Sequence, residues 1–144
     1  MRSVYLVAWL LVLVLGLGSC GGSALDKYDP AEVEYLRSQA EAAGGVVDEA
    51  VLVDTLEFRN DCRTMKAYVN ALGSGPVTSD DPLATAVGEI PSRFENRGMV
   101  DMADYMNTIV GAAEAGDPQQ IAEFLRLNCQ DPPGTPGGID GVAP

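Results

Sequence analysis

The stretch Val47–Leu72, VDEAVLVDTLEFRNDCRTMKAYVNAL, decides the fold class. Val47, Val51, Thr55, Phe58, Cys62, Met65, Val69 and Leu72 recur at steps of three and four. That spacing returns to one side of a helix every turn and lays an apolar stripe along it. No glycine or proline interrupts it, and Gly73 to Pro76 (Gly-Ser-Gly-Pro) ends it with turn chemistry. A helix of this length with one apolar face needs other helices to cover that face.

The flanking sequence supplies them. Asp29-Pro30, Asp81-Pro82 and Asp117-Pro118 share a start signal. The aspartate accepts hydrogen bonds from free N–H groups of the first turn, proline at the next position loses nothing there, and Glu32 or Gln120 stands where a capping box needs it. Ser92-Arg93-Phe94-Glu95 reads as a further capping box. Expected helices therefore run from Pro30 to Ala43, ended by Gly44-Gly45, over a short turn from Leu83 to Val87, from Ser92 to Ala115, and from Pro118 to about Cys129. Gly98 is the expected point of a kink in the third, and Gly116 its stop. Asp131-Pro132-Pro133 opens in the same way, but no apolar period follows. The reading is all-α: a small helical bundle of about four helices over residues 30–130, with residues 131–144 as a disordered Pro/Gly tail.

The N-terminal segment has a different character. Met1-Arg2 is a minimal positive start, and Val4 to Leu17 is an almost unbroken apolar run. Sixteen or so such residues span roughly 24 Å as a helix, short of the hydrocarbon thickness of about 30 Å, which favours a signal peptide over a permanent span. The run ends at Leu17-Gly18-Ser19-Cys20. These four residues resemble the lipobox of bacterial lipoproteins: an aliphatic residue, two small residues and the invariant cysteine. The resemblance implies cleavage between Ser19 and Cys20 and a diacylglycerol on the Cys20 thiol. Residues 1–19 are then a cleaved signal peptide and 20–29 a lipidated tether. Two acyl chains suffice for stable anchoring where one does not.

Lipidation of Cys20 also resolves a parity problem. The chain has three cysteines, and an exported protein with an odd thiol needs an explanation. Cys62 and Cys129 remain as an even pair, expected to form one disulfide in an oxidising compartment. Both fall on apolar helix faces.

Composition excludes several functions. With 9 Lys plus Arg against 21 Asp plus Glu, a net charge of −12, there is no basic stripe for nucleic acid, and the acidic body is repelled by anionic headgroups. Membrane contact must come from the lipid anchor. The chain has no histidine, which removes Ser-His-Asp and Cys-His catalysis and the usual zinc sites; no metal and no cofactor is expected. Asp101 with Asp104, and Asp80 with Asp81, are carboxylate pairs that solvated helix faces and caps explain. Met99, Met102 and Met106 with Tyr105 are candidates for an adaptable ligand surface, weighed against ordinary core filling.

The expectation is a lipid-anchored protein on the extracytoplasmic face of a bacterial cell membrane. It would not be an enzyme. It would bind an envelope protein or a small ligand; a phage-encoded superinfection-exclusion lipoprotein is the alternative, and a carboxylate-based enzyme a remoter one.

Overall fold

A computed structural model describes residues 22–139; the expected signal peptide, Cys20 and residues 140–144 lie outside them. The described chain is an all-α bundle tied by one disulfide, Cys62–Cys129, with Cα atoms 5.7 Å apart. A 3-10 helix, Ala24–Lys27, precedes six α-helices: α1 Pro30–Ala42, α2 Glu49–Ser74, α3 Pro82–Gly88, α4 Ile90–Asn96, α5 Val100–Glu114 and α6 Gln119–Asn128.

Aspartates start the helices largely as their sequence context predicts. Asp29 and Asp81 accept from Ala31 N and Leu83 N at 2.8 Å, and Asp117 from Gln119 N at 3.2 Å. Asp48 does the same for α2 through Ala50 N. Two expected caps are corrected. Glu32 does not turn back on its own helix; it is buried against α2. Ser92 is interior to α4, which begins at Ile90 because Pro91, with φ already set for a first turn, extends the helix backwards to Glu89.

The single helix expected over Ser92 to Ala115 is two. Gly98 sits at φ 76°, a left-handed conformation in which Gly98 N donates to Glu95 O and Met99 N to Phe94 O. This closure ends a helix outright instead of bending it, because the last carbonyls of α4 are satisfied locally. The chain leaves in a new direction. The same pair of bonds at Gly116 ends α5, as its position predicts.

The core gathers Cys62, Met65 and Tyr68 of α2, Val87 of α3, Ile90 and Phe94 of α4, Met106, Ile109 and Ala113 of α5, and Ile121, Phe124 and Leu125 of α6. The stripe read along α2 holds from Cys62 onward. Its N-terminal half does not, since Val51 is 61% exposed whereas Leu52 and Leu56 are buried. There α2 turns a neighbouring line of residues inward, and the line Val51, Thr55, Phe58 faces an open groove.

Both ends expected to be loose are docked. The segment from Ser23 to Tyr28, expected as tether, lies on α2: Ser23 Oγ donates to Glu49 at 2.8 Å, and Lys27 pairs with Glu57 at 3.3 Å. Within the expected disordered tail, Asp131 to Ile139 packs on the bundle, and Ile139 joins the core at 5% exposure. Arg59 and Arg63 cause this by donating to the carbonyls of Pro136 and Gly137. Asp131 meanwhile accepts from Arg59 and from Ile139 N at once. A Pro/Gly segment poor in apolar residues docks here through its backbone carbonyls, which composition does not register.

Candidate functional site

Two concave features on neighbouring faces of α2, with Arg97 between them, are candidates for a site. The first is the apolar groove, about 440 Å³, lined by Val51, Asp54, Thr55 and Phe58 of α2, Phe94 and Arg97 of the α4 end, and Met99 and Met102. Its floor is aromatic. Phe58 stands edge-on to Phe94 and Phe124, with ring centroids 6.2 and 6.5 Å away, and the Arg97 guanidinium lies 5.6 Å from the Phe94 centroid. Met99 and Met102 are 48% and 36% exposed, so their flexible thioethers present adaptable apolar surface. The helix break at Gly98 puts them there.

The four candidate residues therefore separate. Met99 and Met102 line the groove together. Tyr105 is exposed and its ring lies 6.1 Å from Phe124, beside the same aromatic floor. Met106 is fully buried in the core. Asp101 and Asp104 are exposed on α5, whereas Asp81 is occupied as the cap of α3.

The second feature is a polar cleft of about 430 Å³ where the N-terminal 3-10 segment meets α2, α3 and α4. Lys27, Tyr28, Glu57, Asn60, Asp61 and Arg93 line it, with Thr64 and Ala86. A chain of ion pairs runs beneath: Lys27 to Glu57, Glu57 to Arg97 at 2.9 Å, Arg97 to Asp61 at 3.8 Å, and Asp61 to Arg93 at 2.8 Å. Burial pushes the Glu57 carboxyl up, but hydrogen bonds from Arg97 and Lys27 outweigh it and hold it below its ordinary range. For Asp61 the balance reverses. Its burial pushes the carboxyl above the ordinary aspartate value against the pull of Arg93 and Arg97.

Nothing in the sequence singled out this cleft. Lys27 and Tyr28 belonged to the expected tether, and Asp61 lies beside the apolar stripe without any periodic signal of its own. The only cue was an aromatic residue in an otherwise small and polar segment.

Among the described residues no group of three or more His, Cys, Asp or Glu is placed to hold a metal ion. Nor is any helix among them long and apolar enough to cross a membrane. No protein family, curated protein or solved structure matches the chain.

Proposed function

We propose that the chain is a bacterial lipoprotein that holds a small helical binding module at the extracytoplasmic face of the cell membrane. The observation that carries this reading is Leu17-Gly18-Ser19-Cys20 at the end of a short apolar run. Support comes from the disulfide. Cys62 and Cys129 account for each other, which leaves Cys20 as the one cysteine of the sequence outside that pair, and a buried crosslink of this kind belongs to an oxidising compartment. Cys20 lies only a few residues before the docked Ser23–Tyr28 segment, so the anchor holds the domain close to the bilayer.

As a binding module the domain has the apolar groove to offer. An exposed patch built from Met99, Met102 and Val51 over aromatic rings is the kind of surface that monomeric proteins keep for contacts. The experiment is metabolic labelling with a radioactive fatty acid in a bacterial host. The parent chain takes up label and fractionates with membranes, and Cys20→Ala does neither; continued labelling of the variant refutes the anchor. The groove is tested separately: Met99→Glu with Met102→Glu leaves acylation intact and reproduces the deletion phenotype, and a fully functional variant removes the groove from the proposal.

A further inference from the structure

Two buried polar atoms at the polar cleft lack a well-formed hydrogen bond among the described residues: Tyr28 Oη, with the Lys27 ammonium close to its ring, and Asp61 Oδ2. Both residues line the same cleft. A buried polar group left without a hydrogen bond carries its full desolvation penalty, so the occurrence of two in one place asks for a cause. Asp61 is held firmly otherwise. Its Oδ1 accepts from Arg93 Nε at 2.9 Å, and its side chain is 2% exposed, while Arg97 approaches Oδ2 only to 3.8 Å. Asp61 Oδ2 is thus a fixed, buried acceptor on a residue that lines the open cleft.

The chemistry of the walls narrows what fits. A carboxylate oxygen repels an anion and takes an N–H or O–H donor. Tyr28 Oη can accept as well as donate, so an N–H donor serves it too. The lining charges are balanced, Lys27 and Arg93 against Glu57 and Asp61, which suits a ligand carrying both signs. A bare metal ion is poorly served with two arginines at the same carboxylate. The volume, about 430 Å³, is in the range of small-molecule sites.

We propose that this cleft binds a small zwitterion through its primary ammonium group, with Asp61 Oδ2 and Tyr28 Oη accepting from the ammonium and Lys27 and Asn60 facing the anionic end. The proposal rests on reading the domain as a binding module but not on the lipid anchor. Failure of acylation and failure of ligand binding are therefore distinguishable.

The test is a titration of the purified full chain in detergent with four probes: glycine, methylammonium, glycine betaine and acetate. Calorimetry gives affinity, and amide chemical shifts of Tyr28, Asp61 and Arg93 give location. Glycine is expected to bind saturably and shift these amides, methylammonium to bind more weakly at the same place, and betaine and acetate to bind at least tenfold more weakly than glycine. Asp61→Asn should lose at least tenfold in glycine affinity. Tyr28→Phe, which removes only a hydroxyl, should lose about threefold or more and stands in if the Asp61 variant does not fold. The proposal is overturned if neither ammonium probe saturates, if betaine binds as well as glycine, or if a folded Asp61→Asn and Tyr28→Phe both bind glycine like the parent. An ordered water satisfying both atoms in a chain that ignores glycine overturns it equally.

Discussion

Arg59 and Asp131, separated by 72 positions in the chain, form a nearly buried ion pair in which Arg59 Nη1 donates to Asp131 Oδ1. The same guanidinium donates from Nε to Glu32, which is 3% exposed, and Arg63 reaches Glu32 as well. One residue in the middle of α2 thereby joins α1 to the C-terminal segment. Breaking a buried pair by removing one partner leaves the other charge desolvated. Arg59→Ala is expected to lower unfolding stability by about 3 kcal/mol, with Arg63 sparing Glu32 part of the loss. Arg63→Ala, at the more exposed position, should cost about 1 kcal/mol or less. Urea unfolding of both variants checks this, and equal effects would show that Arg59 is not the central partner.

The docked C-terminal segment makes a second prediction. Ile139 closes over a small cavity that Phe58, Arg59, Cys62, Cys129 and Asp131 also line. Ile139→Ala should cost about 2 kcal/mol as a core truncation, whereas a solvated tail residue would change stability by less than about 0.5 kcal/mol. The variant should also lose the Cys62–Cys129 disulfide faster to a small thiol reductant, because the cover over the sulfurs is removed. Reduction followed by alkylation and mass measurement gives the rate.

The disulfide itself closes a loop of 67 residues. Loop-closure entropy assigns it about 4 kcal/mol. Cys62→Ala with Cys129→Ala should lower the urea midpoint accordingly while keeping helical circular dichroism, since Cys62 is a buried position of α2 and Cys129 only follows the end of α6. In the parent protein neither cysteine should alkylate without prior reduction.

Glu57 and Asp61 are adjacent in one ion-pair chain and should respond to pH in opposite senses. Glu57 has its folded-state pKa lowered, so its contribution is present above the ordinary glutamate value and is lost as pH falls through the folded value. Asp61 has its folded-state pKa raised. The folded state holds that proton more tightly than the unfolded chain does, so stability contributed by the neutral form is lost as pH rises from the ordinary aspartate value through the raised one. Thermal unfolding across the acid range should show Glu57→Gln converging on the parent at low pH. Asp61→Asn should gain on the parent as pH rises through that window.

Much of the fold was legible because its causes are local. Aspartate followed by proline started helices at Asp29 and Asp81 as read, since a cap is made with a neighbour two residues away. The steps of three and four from Cys62 to Leu72 marked a face that is in fact turned to the core. The pairing of Cys62 with Cys129 followed from counting thiols once Cys20 is assigned elsewhere. Of the candidate site, Met99, Met102 and Tyr105 were named as a surface, but Val51, Phe58 and Arg97, which complete the groove, were not.

The all-helical class, the caps at Asp29 and Asp81 and the disulfide pairing were legible in the sequence alone, because each depends on spacing along one chain or on parity. Tertiary structure decided the rest. Whether Gly98 bends a helix or ends it depends on where α5 must pack, and whether Val51 or Leu52 turns inward depends on which side α1 and the N-terminal segment cover. The docking of Pro136 and Gly137 and the orphaned pair at Tyr28 and Asp61 depend on groups that meet only across the fold. Buried charge and backbone hydrogen bonding are satisfied by partners in space, and a one-dimensional pattern carries no record of which residues those will be.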